Sequence, residues 1–396
     1  MTTLPPIVLQ PGDSITISAA PTFVAPPPPP PITGTPPDRA ALTYVASPAI
    51  PAVPAMLSPV ADPTWGTHVT RVSNVNGVTN EYSRSPAWNA DQSLILLPGP
   101  GSSSELHDGT TYAKVRGLPR LPGYAHWAYT DPNKIFGTYN GDPHFYACDA
   151  RTDAMSVVHN FSGYSEVSLG DGEGNVSDDD KTVALMTKST AGNGALVYDI
   201  AAGTIVSTVN WGSSRPNNVS VSHSGQYVIV SWGPDGSGST QGLWLYSRLL
   251  VPIRQLTTTA RHGDHCVDSA SHDLWVQCTN GVEMWRLDDG THPALNLPKP
   301  NAFEYGHLSG RNVGRPGWAY LSTYDWGSTS GRPGRDQLVA IKLDGSGTVE
   351  VFGFANHRST SYSEQPHATP SRDGKRVCFN SEWGAPGTVY AYVAGL

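Results

Sequence analysis

One sequence pattern, a strand, a polar tight turn and a second strand, recurs along most of this chain and limits the folds it can adopt. Six copies align on the turn at a spacing of roughly 40 to 50 residues, with a larger gap before the last. They are SPAWNADQSLILL at 85–97, AHWAYTDPNKIFG at 125–137, EGNVSDDDKTVAL at 173–185, NNVSVSHSGQYVIV at 217–230, HCVDSASHDLWVQ at 265–277 and HATPSRDGKRVCF at 367–379. The gap contains YGHLSGRNVGRPGWAYLSTY, which fits a seventh, atypical copy.

A period of this length with several short strands in each repeat is typical of the blades of a β-propeller. Seven blades of about 45 residues need about 315 residues, and residues 62–396 are long enough to supply them. The composition agrees, because 41 Gly and 35 Pro suit turns while 11 Trp and 17 Tyr suit strands. We therefore predict an all-β fold, a seven-bladed β-propeller, over residues 62–396.

Residues 1–61 differ from the rest of the chain. Six consecutive prolines at 26–31 favour a stiff, extended polyproline II conformation. Such a segment has no core of its own, so we predict an extended Pro-rich arm that acts as a spacer or anchor. An arm of this kind should be mobile unless a partner holds it, and this suggests contact with other subunits of an assembly.

Charge and hydropathy exclude several classes of function. The formal net charge of −8 argues against a nucleic-acid partner, which would require a basic surface. No run of 18 apolar residues is present, so no membrane span is expected. The N-terminus lacks the basic and apolar regions of a usual signal peptide. Four cysteines are too few for a disulfide scaffold, and we expect buried free thiols.

The residues just before the first strand of each blade should meet at one mouth of the central channel. Each blade contributes its own pre-strand residues to the same ring. Loops on a rigid scaffold commonly carry function. This ring contains imidazoles, guanidinium groups and carboxylates. A channel mouth with a purely structural role would more commonly carry Ser and Asn. The positions are Arg84, Ser85, Tyr124, His126, Glu173, Arg215, Asn217, Asn218, Asp264, His265, His307, Arg311, Gln365 and His367.

Three imidazoles and one amide in this ring suggest a metal site. Neutral imidazoles bind Zn²⁺ or Mn²⁺, and an amide oxygen can complete the coordination. The expected ligands are His265, His307, Gln365 and His367. The alternative is that these residues only form hydrogen bonds before their strands, because no local metal motif is present. A zinc site that uses Cys266 and Cys278 with His265 is a further alternative, although core packing is the simpler interpretation.

Several segments resemble the seven-bladed propeller polysaccharide lyases, namely the oligogalacturonate lyases and the related ulvan-lyase propellers. The resemblance covers residues 62–384 and rests on the blade pattern. It is carried by DPTWGTHVTRVSNVNG, WNADQS, HWAYTDPNKIFG, GHLSGRNVGRPGWAYLSTY and EQPHATPSRDGKRVCFNSEWG. It implies cleavage of an acidic, uronic-acid-containing polysaccharide by β-elimination, in which a base removes the C5 proton while Arg or a metal neutralises the carboxylate.

The resemblance also implies roles for individual residues. In the oligogalacturonate enzymes, three histidines and a glutamine hold Mn²⁺, and Gln365 and His367 match the glutamine and one histidine. The family's second histidine after the glutamine is absent, because residue 369 is Thr. We expect His126 or His265 to be the base. The other expected catalytic residues are Tyr164, Arg215 and Arg311, and the expected substrate contacts are Arg84, Tyr124, Trp127, His144 and Glu173.

The Pro-rich arm departs from the secreted lyases and resembles the anchoring segments of bacteriophage virion proteins. This suggests a tail-borne depolymerase located in the virion or outside the cell. The alternative function is a non-catalytic receptor-binding or structural tail protein. That protein would need aromatic platforms for sugars more than an acid–base pair. The candidate platforms are Trp65, Trp127, Trp211, Trp232 and Trp326.

Overall fold

The computed structural model describes residues 49–118, 121–170, 173–233, 238–278, 281–297, 303, 305–324 and 334–395. Almost all regular structure in these ranges is antiparallel β-sheet, as predicted. Three short 3₁₀ turns interrupt it, at Pro100–Ser102, Gly238–Thr240 and Tyr362–Glu364. None of the helical turns in this part of the chain is long and apolar enough to cross a membrane. Most of the predicted arm, residues 1–48, lies outside the described residues.

The first strands in the chain are β1 (Val60–Ala61) and β2 (His68–Arg71), which join the last blade. Blade 1 contains β3 (Leu94–Pro98), β4 (Ser104–Asp108) and β5 (Lys114–Leu118). Blade 2 contains β6 (His126–Trp127), β7 (Lys134–Thr138), β8 (His144–Asp149) and β9 (Met155–Asn160). Blade 3 contains β10 (Glu166–Ser168), β11 (Thr182–Ser189), β12 (Gly192–Asp199) and β13 (Thr204–Gly212).

The remaining four blades continue in the same order. Blade 4 contains β14 (Asn218–Val221), β15 (Tyr227–Ser231), β16 (Leu243–Ser247) and β17 (Pro252–Thr257). Blade 5 contains β18 (Gly263–Val267), β19 (Asp273–Cys278) and β20 (Val282–Arg286). Blade 6 contains β21 (Gly306–Ser309), β22 (Trp318–Thr323), β23 (Gln337–Lys342) and β24 (Val349–Phe354). Blade 7 contains β25 (Thr369–Pro370), β26 (Arg376–Ser381) and β27 (Tyr390–Gly395), followed by β2 and β1.

Buried apolar clusters between neighbouring blades show that the sheets form a closed ring. In the described residues, each pair of adjacent blades shares its own cluster, including one between blade 7 and blade 1. In that last cluster, Trp88 and Ile95 of the first repeat pack against Cys378 and Val393 of the last. The prediction of a seven-bladed propeller is confirmed.

Strands from the two ends of the chain pair with each other and close the ring. β2 pairs with β27, with His68 opposite Gly395 and Arg71 opposite Tyr392. Residues just before β1 also contact this blade, since Trp383 Nε1 donates to the carbonyl of Pro51 at 2.9 Å. In the described chain the blade sheet includes Val60 and Ala61, which lie just before the predicted boundary at residue 61.

All four cysteines are buried free thiols in this fold, as the composition suggested. Burial raises the pKa of Cys378, so that thiol is neutral and behaves as a small apolar side chain.

The ring closure predicts an unequal effect of two Val→Ala substitutions. Val69 on β2 is 5 % exposed and packs in the cluster between blades 6 and 7, whereas Val157 on the outer strand β9 is 52 % exposed. Because truncation of a buried side chain leaves a cavity, Val69→Ala should lower the free energy of unfolding by about 1–3 kcal/mol. The control Val157→Ala should change it by less than about 0.5 kcal/mol. Urea unfolding measures both, and equal effects would contradict the proposed closure.

Candidate functional site

Arg84, Glu173 and Asn218, from blades 1, 3 and 4, meet at one mouth of the channel. Arg84 Nη1 lies 3.0 Å from Glu173 Oε2 and 3.3 Å from Asn218 Oδ1. Asn218 Nδ2 in turn donates to Glu173 Oε2 at 2.6 Å. The Arg84 side chain is 2 % exposed and that of Glu173 is 26 % exposed, so the carboxylate is the part that reaches solvent.

Blades 5, 6 and 7 contribute a second group to the same mouth, which we call the imidazole cluster: His262, His307, Gln365 and His367. The ring centroid of His307 lies 4.4 Å from that of His262 and 4.3 Å from that of His367. His307 Nε2 and Gln365 Oε1 are 2.6 Å apart. The structure therefore brings three of the four predicted metal ligands together and adds His262.

Two tyrosines enclose the imidazole cluster. The Tyr82 hydroxyl lies 3.0 Å from His262 Nδ1 and 3.3 Å from His307 Nδ1. The ring of Tyr362 is 52 % exposed and its centroid lies 5.0 Å from that of His367. Burial, with the nearby charge of Glu173, raises the pKa of Tyr82 well above its ordinary value. The Tyr82 hydroxyl is therefore neutral and forms hydrogen bonds with the cluster, and Tyr362 covers the cluster on its solvent side.

Burial keeps the imidazoles of the cluster neutral. It lowers the pKa of His262 to about 4, helped by Arg84 and Arg261, and that of His367 to about 3, helped by His262 and His357. The pKa of His307 is also far below its ordinary value, because of burial and then its two histidine neighbours. Neutral imidazoles have free lone pairs, which is the state that metal coordination requires.

Hydrogen bonds that Asn80 donates to blade 7 and to the segment before it fix the backbone around the cluster. Asn80 Nδ2 donates to the carbonyl of His367 at 2.6 Å, and Asn80 N donates to Asn380 Oδ1 at 2.6 Å. His367 has a φ of +42°, in the left-handed region that a residue with a side chain rarely adopts. The bond from Asn80 helps to hold this unusual conformation, and strain of this kind is often found at functional sites.

Glu81 lies in the chain between Asn80 and Tyr82, both of which contact the imidazole cluster. It is half-buried, and its carboxyl group has no hydrogen-bond or ion-pair partner among the described residues. Burial raises the pKa of Glu81 to about 8. A carboxyl group with such a pKa exchanges protons near neutral pH, as general acids and bases do.

The opposite, turn-side end of the channel contains a second charged group, which includes the predicted clamp Arg311. Arg311 Nη2 and Nε donate to the two carboxylate oxygens of Asp264 at 2.7 and 2.8 Å, and both side chains are almost fully buried. Arg311 Nη1 also donates to the hydroxyl of Tyr129 at 2.5 Å. Arg311 follows β21 instead of preceding it, so the structure places it in a buried ion pair away from the mouth.

The two predicted base residues, His126 and His265, lie inside the channel and are each 2 % exposed. His265 Nε2 is 2.9 Å from Ser220 Oγ, and its ring packs edge-on against Trp275. Neither ring nitrogen of His126 has a partner among the described residues. Burial, and then Arg311, lower the pKa of His126 to about 3. His265 is thus not placed with the three other predicted metal ligands, and His262 takes that position.

The other predicted site residues are spread over blades 2 and 3. His144 Nδ1 contacts Asp142 Oδ1, and Asp142 Oδ2 accepts a 2.7 Å hydrogen bond from Tyr146. Arg215 forms a 3.5 Å ion pair with Glu166. Trp127 is fully buried and donates to the carbonyl of Ala87 at 3.0 Å, so it is a core residue. Tyr124 and Tyr164 pack against the apolar cluster between blades 2 and 3.

Sequence reasoning missed three residues that contact the cluster, Tyr82, His262 and Tyr362, and also Glu81, which lies beside Tyr82 in the chain. His262 was visible in the segment RHGDHC, three residues before His265, and it also precedes an inner strand. The two tyrosines and Glu81 carry no motif. They belong to connecting segments whose position depends on ring closure.

The donor set of the imidazole cluster fits a divalent cation, although it is not arranged around an ion as it stands. Among the described residues, no three His, Cys, Asp or Glu side chains are positioned to hold a metal ion. His307 Nε2 and Gln365 Oε1 instead contact each other. However, His367 Nε2 is buried without a partner, which is costly in a closed site. Three neutral imidazoles and an amide suit Zn²⁺ or Mn²⁺.

Comparison with solved structures supports the propeller fold. An oligogalacturonate lyase in complex with manganese superposes with a TM-score of 0.61 at 14 % identity, covering 87 % of this chain and 97 % of that chain. An oligogalacturonate lyase from Vibrio parahaemolyticus gives a TM-score of 0.62 at 12 % identity, covering 85 % and 96 % of the two chains. No family model and no curated protein matches the sequence. At these identities the likeness shows the fold alone.

The raised pKa of Glu81 predicts a pH-dependent gain in stability for Glu81→Gln. The folded state keeps Glu81 protonated above its ordinary pKa of 4.5, so wild-type stability from this group is complete below pH 4.5 and declines as pH rises toward 8. Glutamine removes that decline. The variant should match wild type at pH 4.5 and exceed it by about 2 kcal/mol at pH 8, allowing for the partial exposure of the group.

Urea unfolding at several pH values measures this difference. The matched control is Asp131→Asn, which alters an exposed carboxylate in a surface pair with Lys134 and should give a small difference at every pH. A Glu81→Gln difference that stays constant between pH 4.5 and 8 would show that Glu81 titrates normally.

Proposed function

We propose that this protein binds a uronic-acid-containing polysaccharide at the mouth of the propeller and cleaves it by β-elimination. The observation that carries this proposal is the imidazole cluster, in which three neutral histidines and Gln365 meet at the mouth of the channel. The fold shared with two oligogalacturonate lyases, one of them a manganese complex, supports it. An acidic substrate also needs a local cation, because a net charge of −8 does not attract it.

His262, His307, Gln365 and His367 would hold the cation. A divalent ion bound there would neutralise the uronate carboxylate and acidify the neighbouring C5 proton. Tyr82 would orient His262 and His307 through its hydroxyl, since it lies within 3.0 and 3.3 Å of their Nδ1 atoms. Arg84 adds a fixed positive charge beside the cluster, and Glu173 and Asn218 hold its guanidinium group in place.

We assign the proton-accepting role to Glu81. His126 and His265 were the first candidates, but both are almost fully buried in the channel and their neutral rings are weak bases, since burial strongly lowers both pKa values. A carboxylate with a pKa of about 8 is a much stronger base than an ordinary carboxylate. Glu81 also belongs to the segment whose neighbours, Asn80 and Tyr82, contact the cluster directly.

The non-catalytic alternative has less support, because the aromatic platforms that it requires are mostly inaccessible. Trp65 and Trp127 are fully buried and Trp232 is 3 % exposed. Trp326 lies outside the described residues. The association of residues 1–61 with a virion stays a prediction, and so does the location of the protein.

Elimination is tested by the ultraviolet absorbance of the unsaturated uronate product, with a panel of uronic-acid polysaccharides as substrates. Wild type should generate this absorbance on at least one polymer. Glu81→Gln should lower kcat by about 100-fold or more, which is the contribution typical of a general base. Asp131→Asn should retain wild-type activity. Flat traces on every polymer, with binding retained, would favour a recognition module without catalysis.

Ion binding is tested separately, by calorimetric titration of EDTA-treated protein with Mn²⁺ and with Zn²⁺. Wild type should bind one ion, and His307→Ala should weaken binding by at least about 10-fold, because a coordinating imidazole is lost. His292→Ala is the control, since His292 stacks on Trp285 of blade 5 and is not part of the cluster. Equal binding by both variants would place the ion elsewhere.

A further inference from the structure

A separate cavity of about 380 Å³ opens at the edge of blade 3, and we call it the rim cavity. Its lining includes Tyr164, Thr187, Ser189, Asn193, Gly194 and Asn210. Tyr164 precedes β10, and β10 begins where β11 ends, with Glu166 opposite Lys188. Since the residues that precede inner strands lie at the mouth, the rim cavity opens on the same face of the propeller as the imidazole cluster.

The lining of the rim cavity is polar but uncharged. It consists of hydroxyl, amide and backbone groups with small apolar side chains and one phenol, and it includes no Lys, Arg, His, Asp or Glu among the residues the structure describes. The volume lies in the range of small-molecule sites. Such a surface offers both donors and acceptors to a ligand but no partner for a carboxylate or a phosphate.

Thr187 lines this cavity and is 5 % exposed. The facing residue on β12 is Gly194, where an added Cβ would lie 3.1 Å from Thr187 Oγ1. The same Cβ would lie only 2.1 Å from the carbonyl oxygen of Val209. Glycine at this position thus allows the backbone of β13 to approach closely beside the Thr187 hydroxyl.

A β-bulge shapes the outer wall of the cavity. Opposite Asn193 and Gly194, the register of β13 skips Trp211. Asn210 then donates from Nδ2 to the carbonyl of Ala191 at 3.2 Å and accepts at Oδ1 from Gly212 N at 2.7 Å. Bulges re-aim side chains and are common next to functional sites.

The wall that carries Tyr164 is tied to the same blade. Ser165 N and Ser165 Oγ both donate to the carbonyl of Lys188, at 2.8 and 3.2 Å. These bonds fix the segment that contains Tyr164 against the end of β11. An aromatic ring beside hydroxyl and amide groups is the usual composition of a sugar site, because a pyranose has apolar C–H faces and a hydroxyl-bearing edge.

We propose that the rim cavity binds an uncharged sugar unit, with Thr187 and Asn193 contacting its hydroxyl groups and Tyr164 packing on its ring. A uronate is disfavoured, because its carboxylate would lose water without gaining a cationic partner. This inference rests on the proposed function for the polymeric nature of the ligand and refines its class, to a polysaccharide that contains neutral sugars as well as uronates.

The test is calorimetric titration with neutral hexose and deoxyhexose disaccharides and, in parallel, with oligo-uronates. Thr187→Val should weaken the neutral sugars by about three- to tenfold, which corresponds to one hydrogen bond, and Tyr164→Ala should also weaken them. The matched control is Thr204→Val at the far, exposed end of β13, which should bind like wild type. Oligo-uronate binding at the mouth should be the same in all four proteins.

The outcomes separate this inference from the proposed function. Neutral-sugar binding that is lost in Thr187→Val but kept in His307→Ala supports the rim cavity whether or not elimination is detected. If no neutral disaccharide binds wild type, or if Thr187→Val and Thr204→Val bind equally well, the inference is overturned even when the lyase assay succeeds.

Discussion

The pairing of β2 with β27 is the interaction on which the other features of this structure depend. It joins the two ends of the propeller and completes the ring of apolar clusters between neighbouring blades. Several contacts at the mouth join segments that are distant in sequence. Arg84 meets Glu173 and Asn218 only because blades 1, 3 and 4 face one axis. Tyr82 reaches His262 only because the segment before blade 1 is carried back to blade 5 by the closed ring.

The two ends of the channel use charge in different ways. At the turn side, Arg311 and Asp264 form a buried bidentate pair that meets its own hydrogen-bonding needs, so it has little capacity to bind a ligand. At the mouth, burial without a charged partner keeps His262, His307 and His367 neutral. Burial therefore leaves neutral imidazoles with available lone pairs at the mouth. At the turn side it leaves an arginine and an aspartate whose charges are already paired with each other. The mouth is the end with spare coordinating capacity.

Much of the fold was predictable from the sequence. The strand–turn–strand repeat can be recognised within each short segment, and the number of copies gives the number of blades in the ring. The site was predictable only in part. The position of a residue relative to its inner strand decides which end of the channel it occupies, so His307 at the start of β21 lies at the mouth and Arg311 after the strand lies at the far end. Glu173 of blade 3 was predicted at the mouth from its place in the repeat, but its contacts with Arg84 and Asn218 join three blades and could not be read from any one segment.

The imidazole cluster and the rim cavity lie on one face and differ in chemistry, and this difference has an energetic consequence. A single weak contact contributes little, but two sites that hold one polymer act at a high effective concentration and raise the overall affinity. Binding energy from a sugar that does not react can also hold the reacting unit in place and so increase the rate of the chemical step. Since the rim cavity has no charged lining, its contribution depends little on salt. The charged mouth depends on salt more strongly, so ionic strength changes the balance between the two sites.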